Sequence, residues 1–217
     1  MDYSLVVLFS YSIFIAAIVG VGKIKNISSV YYPFVFLTWI AAINEVISFY
    51  ASKYFHTNVL NNNIYVLFEP LFILWQFSEW KLFGKNKQLP LLIAVLVTIG
   101  WCIDYHDITN GSTVHLYYRI ITSGFIVLCS VYLLSKVIIH YQKALVKHTV
   151  FLVCIGFILF FTFEIFIDIF WMYSSRFNAV FQSNVFKIIT WINLFVNIIY
   201  AYAVICIPRR TPFITLY

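Results

Sequence analysis

Read from its N-terminus, the chain alternates long apolar runs with short polar breaks. Seven runs reach or approach the about 20 residues that a helix needs to cross the hydrocarbon core of a bilayer. They cover roughly 4–22, 30–54, 62–82, 88–104, 114–136, 149–173 and 182–207. The fourth, LPLLIAVLVTIGWCIDY, is the shortest, carries Gly100 and meets Asp104 near its end. Long polar linkers, repeats and low-complexity tracts are absent. The pattern predicts an all-α integral membrane protein, one domain over residues 1–217, built as a bundle of seven transmembrane helices.

The basic residues then set a direction. Lys23 and Lys25 follow the first run, Lys81, Lys85 and Lys87 the third, Lys136, Lys143 and Lys147 the fifth, and Arg209 and Arg210 the seventh. With seven crossings all of these fall on one side. The other side holds Lys53, Arg119, Arg176 and Lys187. Cytoplasmic loops carry the excess of Lys and Arg, so the N-terminus is expected outside and the C-terminus in the cytoplasm. A count wrong by one helix would scramble this asymmetry.

Composition narrows the class further. Hydrophobic residues make up 63% of the 217 and charged residues 10%, with a mean hydropathy of +0.92. Roughly a quarter of a soluble domain is charged, so this chain lacks the polar material to cover a globule in water. The net charge of +6 reads as cytoplasmic anchoring to anionic lipid headgroups through GKNKQ and KVIIHYQKALVKH, and no nucleic-acid partner is expected. The opening MDYSLVVLFSYSIF has no basic segment and no small-residue cleavage site, so it reads as a retained first helix rather than a signal peptide. Cys102, Cys129, Cys154 and Cys206 form no CxxC, and no disulfide is expected. Tyr and Trp near the predicted helix ends suit an interfacial belt.

The stretch NIYVLFEPLFILWQF puts Glu69 and then Pro70 in the middle of an apolar run. Ionisable residues inside a bilayer are costly, face the bundle interior, and mark functional sites. At about 1.5 Å per residue, Glu45, Glu69, Arg119, Glu164, Asp168 and Lys187 all lie roughly 8–15 Å below the outer surface, on five helices. Glu164 and Asp168 are four apart and share a face, as do Tyr65, Glu69 and Gln76, and Arg119 with Ser123. Asn193, Asn197 and Tyr200 form a polar stripe that continues deeper. These residues are expected to line one polar cavity open to the outside, with Pro70 freeing the carbonyl of Val66 beside Glu69. The alternative is a buried network that holds helices together, with Lys187 reaching outward to the interface. Asn61 to Asn63 are expected to cap the third helix, and NGS at Asn110 is a glycosylation sequon only in a secretory-pathway host.

Most chemistries find no support. His56, His106, His115, His140 and His148 form no HExxH and no i, i+4 pair, so no metal site and no cofactor is expected. The His and Asp motifs of seven-helix ceramidases and progestin-receptor-like hydrolases are missing. Lys187 with Glu69 resembles a microbial rhodopsin pair only in outline, since Lys187 sits near the outer end of its helix. No GxSxG elbow and no phosphate-cradling glycine loop occurs. A carboxylate pair doing acid–base chemistry on lipid remains as a third reading.

The segments NVLNNNIYVLFEPLFILWQF and FLVCIGFILFFTFEIFIDIFW resemble small seven-helix proteins of Bacteroidetes-type bacteria, which share an Asn-rich loop, an aromatic helix bearing a Glu and a later Phe-Trp helix. That resemblance implies a bacterial inner-membrane protein and brings no activity with it. The residues themselves favour a non-enzymatic, receptor-like or sensory protein. It would bind a small polar or cationic ligand through Glu45, Glu69, Glu164 and Asp168, with Arg119 positioning one carboxylate. The alternative is a cation-conducting pore formed by a homo-oligomer, as a membrane accessory or effector of a bacterial defence system.

Overall fold

The computed structural model describes residues 8–84, 86, 88–109, 113–140, 145–173 and 178–209. Among these the chain is all-helical. Its α-helices are α1 (Ile13–Lys23), α2 (Tyr32–Phe55), α3 (Val59–Glu79), α4 (Gln88–Ile103), α5 (Leu116–His140), α6 (Thr149–Met172) and α7 (Ala179–Cys206). A π-turn, Asp104–Thr109, continues α4. Lys85, Lys87, Lys143, Arg176, Arg210 and the sequon at Asn110 lie outside the described residues.

Five helical segments are long and apolar enough to cross a membrane: Ser29–Phe55, Gln88–His106, Leu116–His140, Thr149–Met172 and Val180–Cys206. The apolar helix Leu8–Lys23 is shorter, and α3 carries Asn61–Asn63, Glu69 and Gln76, which lower its hydropathy. Large apolar side chains such as Ile18, Leu91, Ile121, Leu128 and Ile139 point away from the bundle, each more than half exposed. In water this surface would be an aggregation liability; against lipid tails it is neutral. Helix length and surface together indicate a membrane protein.

Six helices close into a ring. α1 packs on α2 and α7, α2 on α3, α3 on α5, α5 on α6, and α6 on α7. Helix α4 lies outside this ring against α3 and α5, and none of its residues is buried. The centre of the ring is aromatic. Phe34, Phe77 and Phe157 are essentially inaccessible and meet edge to face, Phe77 to Phe157 at 6.0 Å and Phe34 to Tyr200 at 5.5 Å between ring centroids. Edge-to-face pairs are the favoured arrangement for rings with a negative face and a positive edge. Tyr200 reaches this layer because Gly156 leaves room: a Cβ at Gly156 would stand 2.3 Å from the Tyr200 ring.

Backbone groups at helix ends are satisfied by specific side chains. Gln76 of α3, fully buried, accepts from the Phe34 N–H at 2.8 Å and donates to the Val30 carbonyl at 2.8 Å. It thereby pairs one of the first-turn amides of α2 that has no partner within the helix. Lys23, in the last turn of α1, donates from Nζ to the Ile205 carbonyl near the end of α7 at 2.5 Å. A cation there complements the helix dipole, and the contact brings the C-terminal ends of α1 and α7 together, so the two run in the same direction. His148 caps α6 by accepting from the Phe151 N–H at 3.4 Å, and burial lowers its pKa below the ordinary histidine value, which favours the neutral ring that can accept.

One expectation is corrected. Asn61–Asn63 do not cap α3, which begins at Val59 with Asn58 ahead of it. Asn61 instead donates to Asn44 Oδ1 on α2 at 2.8 Å, and Asn63 donates to the Thr113 carbonyl at 3.0 Å. The polar run serves to tie α3 to its neighbours. Pro70 lies inside α3, which runs from Val59 to Glu79.

Two stability outcomes follow. Gly156→Ala is expected to destabilise by about 1–3 kcal/mol through overpacking on Tyr200, and the loss should shrink when Tyr200→Leu is added; thermal unfolding of the four proteins in one detergent measures it. Gln76→Leu is expected to cost about 1–3 kcal/mol, because it strands the Phe34 N–H away from water. A midpoint within error of the parent would refute the bridging role.

Candidate functional site

At the end of the ring where α2 finishes and α3 begins, a cavity of about 230 Å³ opens between the helices. Its walls come from α1, α2, α3, α5, α6 and α7, with no contribution from α4. The lining changes character along the helices. On α2, Phe34, Thr38, Ala41 and Glu45 follow one face, and on α6 the same holds for Phe157, Phe161 and Glu164. Spacings of three and four residues keep each series on one stripe. Both stripes start aromatic near the centre of the ring and end acidic at its mouth. Phe34 and Glu45 are eleven residues apart, about 16 Å along the helix. The result is a polar mouth above an aromatic floor.

The charges at the mouth are unequally compensated. Arg119 donates from Nη2 to Glu164 Oε1 at 2.6 Å, and its Nε stands 3.3 Å from Asp168 Oδ2. The second contact is an ion pair without hydrogen-bond alignment, since both atoms lack a hydrogen-bond partner. Ser123 donates to the other oxygen of Glu164 at 2.9 Å. Glu164 is therefore held at both oxygens. Glu69, 8% exposed, accepts from the Tyr65 hydroxyl at 2.8 Å and has no ion pair among the described residues. Glu45 lines the cavity from α2 and likewise has no ion pair among the described residues. Asn193 adds a buried Oδ1 without a hydrogen-bond partner, and Asn197 donates to the Ser12 hydroxyl at 2.9 Å.

Of the residues singled out from sequence, Glu45, Glu69, Arg119, Glu164, Asn193 and Asn197 all line this cavity. Asp168 does not. It faces a separate crevice between α5, α6 and α7, beside Trp171 and Val185, and Arg119 borders both spaces. Lys187 is absent from both linings and donates to Asn184 at 3.2 Å on its own helix. Gln76, on the same sequence stripe as Glu69, is taken up by the backbone of the segment leading into α2.

A second buried polar group escaped the sequence reading. His115, just ahead of α5, is fully buried and bonds through Nδ1 to Asp104 at the start of the π-turn. Its ring stacks near Trp101 and Tyr105, with centroids 5.5 Å and 5.8 Å away. Trp101 in turn donates to the Asn63 carbonyl at 2.9 Å. This pins the end of the peripheral α4 to α3 and α5. Asp104 and His115 sit at facing ends of consecutive apolar runs, and that shared depth was the available signal.

Among the described residues no group of three His, Cys, Asp or Glu side chains is placed to hold a metal ion. Both oxygens of Glu164 are engaged, by Arg119 and by Ser123. No family model, curated protein or solved structure matches the chain.

Removing the guanidinium would leave two carboxylates unpaired in the bundle. Arg119→Met is expected to cost on the order of 3 kcal/mol, as broken buried pairs do. Adding Glu164→Gln and Asp168→Asn should recover much of that loss. Thermal or denaturant unfolding of the single and triple variants tests this, and equal losses in both would show that Arg119 acts only through its packing.

Proposed function

We propose that the chain is a seven-span protein of the bacterial inner membrane, N-terminus outside and C-terminus in the cytoplasm. In this reading it is a receptor-like or sensory protein that binds a small cationic ligand in an outward-facing acidic cavity. The observation that carries the proposal is the cavity itself: six helices converge on it, and it presents Glu45 and Glu69 without a cation to neutralise them. A ligand bearing positive charge would supply what the protein leaves out.

Topology supports the same reading. The parallel run of α1 and α7 requires an odd number of crossings if every helix spans. Lys23, Lys25, Lys81, Lys136, Lys147 and Arg209 then gather at the end of the bundle opposite the cavity mouth, which is the cytoplasmic end by their charge. A pore through one chain is disfavoured by the aromatic layer of Phe34, Phe77, Phe157 and Tyr200 beneath the cavity. A lipid hydrolase is disfavoured by the double engagement of Glu164.

Native mass spectrometry of the protein released from mild detergent tests the reading. A monomer or dimer carrying a discrete non-lipid mass, lost in Glu69→Gln, is the expected result. A higher oligomer with nothing bound, together with cation flux in liposomes that Glu69→Gln alters, would overturn it in favour of a pore.

A further inference from the structure

The cavity is not built for a bare inorganic ion. Such ions take six or more oxygen ligands, or a fixed set of nitrogen and sulfur ligands, packed around one point. Here the two cation-free carboxylates lie on different helices at the mouth, and no cluster of three candidate ligands exists among the described residues. Below them the walls turn to Phe34, Phe157, Phe161 and Tyr200. These rings pack on one another, Phe157 edge to face with Tyr200 at 5.8 Å and tilted against Phe161 at 6.0 Å. Phe34, Phe157 and Phe161 are packed almost out of reach, while Phe160 and Tyr200 on the same lining keep some exposed ring surface, and the mouth offers Glu69 and Glu45. One more polar atom, the unpartnered buried Oδ1 of Asn193, accepts a hydrogen bond partway down.

We propose that the ligand is an organic ammonium compound with a compact apolar, preferably aromatic, body. The inference rests on the cation-binding reading above and deepens it. The ammonium sits between Glu69 and Glu45, where its N–H groups donate to carboxylate oxygens. The apolar body descends onto the apolar lining that includes Phe160 and Tyr200, where burial and ring-to-ring contact hold it. The cavity of about 230 Å³ sets the size. With about 30 Å³ for each water-sized unit, it takes a guest of about eight non-hydrogen atoms, the size of a simple arylalkylamine. Glu69 is the anchor because its side chain is almost wholly buried and Tyr65 fixes one of its oxygens, leaving the other for the guest.

The test is isothermal titration of the full chain in lipid nanodiscs at fixed ionic strength. The probes are calcium chloride, potassium chloride, ethylamine, 2-phenylethylamine and the neutral 2-phenylethanol. The expected order is 2-phenylethylamine about tenfold or more tighter than ethylamine, with the alcohol and the inorganic ions at the limit of detection. Glu69→Gln should weaken the arylamine at least about tenfold. The more exposed Glu45→Gln, which spares the buried core, should weaken it in the same direction. Phe160→Leu should reduce the preference for the arylamine over ethylamine. If calcium or ethylamine binds as tightly as 2-phenylethylamine, the aromatic-body inference fails while the acidic-cavity reading stands. If no cation binds, or the alcohol binds as well as the amine, both fail.

Discussion

The guanidinium of Arg119 is the interaction on which the polar half of this protein depends. A bilayer gives a charged side chain no water to fall back on, so every charge in the bundle needs a partner supplied by the protein. Arg119 reaches from α5 to Glu164 and Asp168, one turn apart on α6, and Ser123 completes the shell of Glu164. Two carboxylates and one cation are thereby spent on each other. The remaining acids, Glu69 and Glu45, are left facing a cavity, and that imbalance gives the cavity its chemistry.

Beneath the charges, packing takes over. The aromatic layer works because α6 presents Gly156 where Tyr200 of α7 must lie almost against its backbone. Without that approach the Tyr200 ring would be pushed into Phe34 and Phe157, and the cavity would lose its floor. The same helices thus carry both halves of the site. Phe157, Phe161 and Glu164 stand on one stripe of α6, so a single helix rotation sets the position of floor and mouth together.

Helix α4 follows a different logic. It buries nothing and touches the ring through α3 and α5. An apolar groove of about 400 Å³ separates it from them along part of its length, and the Asp104–His115 contact and the Trp101–Asn63 bond hold its end. Helix α4 contributes no wall to the cavity.

How much was legible beforehand depended on the kind of information each feature carries. Apolar runs long enough to span a bilayer are a one-dimensional property, so the helices and their approximate limits could be read directly. Depth along a helix is also one-dimensional, which is why Glu45, Glu69, Arg119 and Glu164 could be grouped before any contact was known. Which helix stands beside which is not encoded in that way. Only tertiary structure decided that α4 lies outside the ring, that Asp168 turns toward a second crevice, that Lys187 joins Asn184 and that Gln76 serves a backbone amide. Asn61 and Asn63 show the reason most plainly: a residue type that suits a cap also suits a cross-helix tie, and the choice between them is made by the neighbouring helix, which the local sequence does not contain.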